Sequence, residues 1–219
     1  PYNDTSNSDW YKGDGNPYGL MVTNTNNENK NAVFSGNVYA ELQPIKSLKL
    51  RSVFGAVYNS SEYRSFTPMY QFSEYSYNNT RTKVSQNMNH SLGMTWTNTA
   101  TYDWKVNEHA FNALIGMEVY QYSGTYLSAG TGILREGFDD WEHAYIANGT
   151  ASSTEDGMSV DGYPHDESRS VSYFGRFGWN WKETYMINAT LRADGSSKFA
   201  RGNRYGVFPS VSAGWTLTN

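Results

Sequence analysis

A period of two runs through residues 169–217 and decides what solvents this chain can meet. In 169–181 the large apolar residues Val171, Tyr173, Phe177, Trp179 and Trp181 take the odd positions. Ser170, Ser172, Arg176, Gly178 and Asn180 lie between them, with Phe174 as the exception. The pattern returns in 185–194, where Ile187, Ala189, Leu191 and Ala193 alternate with Asn188, Thr190, Arg192 and Asp194. It returns again in 207–217, with Val207, Val211, Ala213, Trp215 and Leu217 against Ser210, Ser212, Gly214 and Thr216. Side chains of a strand point alternately to its two faces, so these are strands with one greasy side and one wet side.

Four further strands are predicted upstream. Residues 32–42 set Phe34, Val38, Ala40 and Leu42 on one face. Residues 48–58 do so with Leu48, Leu50, Phe54, Ala56 and Tyr58, though Val53 and Val57 soften the contrast. In 90–102, Leu92, Met94, Trp96, Ala100 and Tyr102 oppose a run of Ser, Gly and Thr. In 109–122, Phe111, Ala113, Ile115, Met117 and Val119 oppose Asn112, Gly116 and Glu118. Residues 1–31, 59–87, 123–167 and 195–205 carry no period and are expected to be loops. Connections therefore alternate long and short, as the extracellular loops and periplasmic turns of an up-and-down membrane barrel do. Strands of about 11 to 14 residues, at ~3.3 Å per residue and ~40° tilt, span roughly 27–35 Å, enough for a hydrocarbon layer. Trp96, Tyr102, Trp104, Trp179, Trp181, Tyr185 and Trp215 gather toward the turn ends, where an interfacial aromatic girdle is expected.

Composition agrees with that picture without selecting it. Aromatic residues make up 16% of the 219 and charged residues only 17%, against about 25% charged in ordinary soluble domains. Mean hydropathy is nevertheless −0.69, because Asn, Ser, Thr, Gly and Tyr fill the chain. A secreted carbohydrate-binding β domain has the same profile. No apolar run approaches the ~20 residues of a membrane-spanning helix, which says nothing against strands. The absence of Cys removes thiolate chemistry and disulfides. A net charge of −4 gives no electrostatic footing for nucleic acid.

A family resemblance rests on the same residues. Leu191-Arg192-Ala193-Asp194-Gly195-Ser196-Ser197-Lys198-Phe199 and Phe208-Pro209-Ser210-Val211-Ser212-Ala213-Gly214-Trp215 follow the aromatic hairpin YFGRFGWNWKETY. Together they resemble the barrel of the SusC-like TonB-dependent outer-membrane transporters, with weaker similarity through TWTNTATYDW and HAFNALIGMEVY. The resemblance implies an all-β, antiparallel, up-and-down transmembrane barrel segment. About seven strands would belong to a larger barrel of 22, since seven cannot close a barrel and an open sheet in lipid leaves unsatisfied edges. Both ends, at Pro1 and Asn219, are then expected to be cuts, with the plug domain outside this chain. The implied activity is import of oligosaccharides or peptides across the bacterial outer membrane. The implied partners are the rest of the barrel and its plug, a SusD-like surface lipoprotein acting as a lid, the TonB complex reached through the plug, and outer-membrane lipid.

Catalytic constellations are not evident, and neither an enzyme nor a cofactor is expected. His90, His109, His143 and His165 are scattered, with no pair at ligand spacing. The acidic runs 139–143 and 165–167 do not follow a calcium-loop pattern and read as solvated loop charges. Lys198, Arg201 and Arg204 put positive charge on the loop after the sixth strand. On the predicted wet face stand Asn112, Glu118, Arg176, Asn180, Asn188, Arg192 and Asp194, candidates for facing a lumen or plug. In the long loops stand Tyr63, Tyr70, Phe72, Tyr75, Tyr77, Trp141 and Tyr145, candidates for stacking on substrate or touching a partner. The competing expectation is a soluble secreted β-sandwich or lectin-like module, which hides its apolar faces against a second sheet.

Overall fold

The computed structural model describes residues 17–24, 26–71, 77–78, 80–165 and 167–217. After a short helix, α1 (Pro17–Asn24), the chain is almost entirely strand: β1 (Asn27–Ile45), β2 (Leu48–Thr67), β3 (Tyr70–Gln71), β4 (Tyr77–Asn78), β5 (Lys83–Val106), β6 (His109–Thr131), β7 (Ser159–Pro164), β8 (Ser168–Trp181), β9 (Tyr185–Ser196) and β10 (Tyr205–Trp215). One sheet takes the order β1-β2-β5-β6-β8-β9-β10, so chain neighbours are sheet neighbours, and β7 pairs β6 as well. β3 and β4 form a separate small hairpin. The up-and-down antiparallel architecture of the sequence reading is the one observed.

Strand ends differ from that reading, and the difference has one physical cause. The sequence period reports a contrast between two solvents, whereas a ladder of backbone hydrogen bonds continues wherever a neighbour is available. β1 starts at Asn27 inside the expected first loop, β2 runs on to Thr67, and β5 begins at Lys83. β6 runs to Thr131, and β7 lies wholly within the expected loop 123–167. In these extensions small polar and apolar residues mix on both faces, so no contrast is available to read. The turns are tighter than expected for the same reason: Lys46–Ser47 and Asn107–Glu108 are two-residue connections. Asn107, Lys182 and Glu183 take positive φ values of 54°, 52° and 56° to close their hairpins, a conformation that Asn accepts most readily.

The residues divide into two compact units. One comprises Val33–Tyr58, Ser91–Gly124 and Asp166–Asn219 and holds the two-faced parts of the strands. The other comprises Pro1–Ala32, Asn59–His90 and Thr125–His165. Its small core is Phe66, Val84 and Ala144, with Leu134, Trp141 and Ile146 packed against it. The loop in this unit is folded: the side chain of Gln86 accepts from the Ile146 N–H at 2.8 Å, and the buried Thr82 hydroxyl donates to the Gly132 carbonyl at 3.0 Å.

Candidate functional site

In the first unit the strand register sorts the side chains of β6, β8, β9 and β10 onto two faces. Across β6, β8, β9 and β10, Ile115 pairs Gly175, Gly175 pairs Leu191, and Leu191 pairs Pro209. One step along, Ala113, Phe177, Ala189 and Val211 form the next row, and Phe111, Trp179, Ile187 and Ala213 the one after. Directly paired residues share a face, so the apolar half of the sequence pattern becomes one continuous surface. It is uncovered. Ile115 is 68% exposed in mid-sheet and Val211 74%, and no second layer lies over them among the described residues. A sandwich would bury this face first.

A band of rings closes the turn end of that surface. Tyr102 meets Trp104 at 5.4 Å, Trp104 stacks on Phe111 at 5.0 Å, and Phe111 meets Phe177 at 6.1 Å. His109 stacks between Trp179 and Trp181 at 5.8 and 6.0 Å and accepts a hydrogen bond from the Trp179 indole at 3.0 Å. Trp181, Tyr185 and Trp215 continue the stack across β9 to β10. Rings with apolar bodies and polar tips suit a membrane–water boundary. Trp96, expected in the band, stands away from it and donates to the Ser52 hydroxyl instead, because it lies ten positions up the strand from Val106.

The opposite face carries the seven predicted polar residues, and the structure gathers them into groups. Arg192 donates to Asp194 at 2.7 Å, to Ser172 at 3.1 Å and to Glu118 at 3.5 Å, and its guanidinium lies over the Phe174 ring. Thr97 donates to the other oxygen of Glu118 at 3.2 Å, so the network crosses β5, β6, β8 and β9. Nearer the turns, Arg176 donates to Asn112, which donates to Asp103 at 2.6 Å. Asn180 caps its own turn by accepting from the Glu183 N–H, and Asn188 lies against Gly178, where any Cβ would meet its amide oxygen. These ion pairs are about 40% exposed, so each stabilises the fold by about 1 kcal/mol at most. Phe174 explains its own exception: its ring lies on the Gly116 backbone, in the space a side chain there would need. An aromatic over a strand glycine covers otherwise naked ladder.

In the second unit, Arg64 organises the loop aromatics, which the sequence reading missed. Its guanidinium sits 3.9 Å from the centre of the Trp141 ring and 4.2 Å from that of Tyr145, and it donates to the Trp141 carbonyl. Glu28 approaches it at 3.8 Å. Tyr63 and Tyr145 line one small cleft of about 100 Å³ with Glu28, Lys30, Glu62 and Gln86. Tyr70 and Tyr77 belong to the β3–β4 hairpin, while Phe72 and Tyr75 lie outside the described residues. The partners of Arg64 are 77 and 81 positions away, and no local pattern announces such a pairing. His143 donates to Asp140 through its backbone N–H at 2.9 Å, with its ring nitrogen at the same distance; this contact holds the exposed Asp140 carboxyl below the usual range. No group of residues fit to hold a metal ion occurs among the described residues.

No protein-family model matches the chain. Individual relatives do. Over 207 residues, 93% of the chain, it is 27% identical to the TonB-dependent receptor P26 of Formosa agariphila, of which it covers 20%. It is 24% identical over 210 residues to the TonB-dependent receptor SusC of Bacteroides thetaiotaomicron, covering 92% of the chain and 18% of that protein. The solved RagAB peptide transporter superposes on 89% of the chain with a TM-score of 0.75 at 22% identity, again over 20% of the larger chain. The chain is similar to SusC-like TonB-dependent receptors along nearly its whole length. It spans about a fifth of the length of these relatives, and its fold is that of the corresponding stretch of a TonB-dependent transporter barrel.

Proposed function

We propose that this SusC-like segment forms part of the wall of a transporter that imports oligosaccharides or peptides across the bacterial outer membrane. The observation that carries the reading is the uncovered apolar face, bounded by its aromatic band and backed by a hydrogen-bonded polar face. Lipid would solvate the first, and a water-filled interior the second. Arg or Lys turned toward lipid at mid-depth costs about 2–4 kcal/mol, so Arg176 and Arg192 belong on the interior side. There they and Glu118, Asp194, Asn112, Asn180 and Asn188 would brace the wall and meet the plug. The loop aromatics Tyr63, Tyr70, Phe72, Tyr75, Tyr77, Trp141 and Tyr145 would face substrate or a SusD-like lid. The energy for import would come from TonB acting on the plug, so the chain performs no bond chemistry. The test is uptake of labelled oligosaccharides and peptides by cells carrying the full-length transporter, with and without a working TonB complex. TonB-dependent uptake supports the proposal. Release of the protein from membranes without detergent, together with sugar binding in solution, would replace it with the lectin-like reading.

A further inference from the structure

β7 has a free edge. It pairs β6 through Tyr126↔Tyr163, Leu127↔Gly162, Ser128↔Asp161 and Ala129↔Val160, and β6 is its sole strand partner among the described residues. All six of its residues are exposed, Val160 by 71%. A strand directs the N–H and C=O of every second residue to each side, so half of β7's backbone groups point away from β6. Among the described residues no hydrogen bond from another segment reaches them. The register also fixes what an added strand would meet. Val160 and Gly162 share a face with Leu127 and Ala129. Asp161 and Tyr163 share the other with Ser128 and Tyr126, where the two tyrosine rings lie 5.6 Å apart. Asp161 has no basic partner among the described residues.

We propose that this edge recognises cargo, taking up an extended peptide as one more strand, with basic side chains over Asp161 and Tyr163 and apolar ones over Val160. The idea rests on the transport reading and narrows it to peptides. Main-chain hydrogen bonds supply affinity in strand addition, and alternate side chains supply specificity. A neutral oligosaccharide offers neither one donor and one acceptor per strand step nor a cation for Asp161. Pro164, lacking an N–H, and the charge of Asp161 are devices that keep an edge from pairing with copies of itself, which leaves it open to a complementary guest.

The experiment uses the full-length transporter in detergent and a fluorescent hexapeptide alternating lysine and valine, read by anisotropy. Strand addition predicts that N-methylating one alternate set of peptide amides abolishes binding and that methylating the other set leaves it intact. Asp161→Lys should weaken binding roughly tenfold and improve binding of the glutamate–valine counterpart. Equal effects of both methylation sets, or indifference to Asp161→Lys, would overturn the proposal. So would failure to bind any peptide. A parallel measurement of lipid contact at position 115 separates the two ideas: if Ile115 faces lipid while peptides fail to bind, the edge proposal falls and the transport reading stands.

Discussion

A lysine at position 115 separates a lipid-facing wall from a soluble sheet most sharply. Ile115 opposes Gly175 in mid-ladder, four residues above the Phe111↔Trp179 row of the aromatic band. At ~3.4 Å per residue and ~40° tilt that is about 10 Å above the band, close to the midplane of an apolar layer about 25 Å tall. Lysine there costs about 2–4 kcal/mol in a bilayer, roughly a 30- to 700-fold loss in the folding equilibrium. In water the same change at a residue 68% exposed alters stability by about 0.5 kcal/mol or less. Ser212→Lys is the control, because Ser212 pairs Asn188 on the polar face and should move by no more than about 0.5 kcal/mol. The assay is urea unfolding of the full-length protein from lipid vesicles, followed by tryptophan fluorescence. A neutral Ile115→Lys, or equal losses at both positions, would refute the assignment of faces.

Other consequences are local. Arg64→Ala removes the guanidinium between Trp141 and Tyr145, and proteolysis within 132–158 should accelerate; with the Arg64 side chain only 13% exposed, each cation–π contact is worth about 0.5–2 kcal/mol. Arg64→Lys should rescue it only in part, since an ammonium does not stack as a plane. Gly116→Val forces the Phe174 ring off the strand and should cost about 1–3 kcal/mol as overpacking does, whereas Gly116→Val combined with Phe174→Ala should recover part of that loss in the same unfolding assay. The Asp140 carboxyl is held below its ordinary range chiefly by its hydrogen bond with the His143 side chain. A depressed carboxylate contributes stability that is present above the ordinary carboxylate pKa and lost as pH falls through the folded value. Amide exchange at Asp140–His143 should therefore quicken on acidification below that range, and Asp140→Asn should abolish the dependence.

How far the fold could be read from the sequence follows from what a period of two records. In 169–181, 185–194 and 207–217 lipid and water would lie on opposite sides, and each predicted face matches the register observed. Beyond Gly124 the contrast ends, so β7 and the last turn of ladder in β6 left no trace, although their hydrogen bonds are as regular as any. Arg192 was legible as a polar-face residue from its parity alone. Its contacts with Glu118, 74 positions away, and Ser172, 20 away, depend on strand order, which parity does not give. Arg64 escaped notice because its role comes from two aromatic partners on a folded loop, and Phe174 breaks the alternation because its ring covers Gly116 on the neighbouring strand.

The central claim is tested most directly by depth-dependent quenching of a probe placed at single positions of the full-length protein in its membrane. Cysteine labelling suits this stretch, which has none of its own. Probes at Ile115, Tyr173 and Val211 should be quenched by lipids carrying a mid-chain quencher and shielded from aqueous quenchers. Probes at Thr190 and Ser212 should respond only to aqueous ones. Water contact at Ile115 and Val211, with no response to the lipid quencher, would contradict the account.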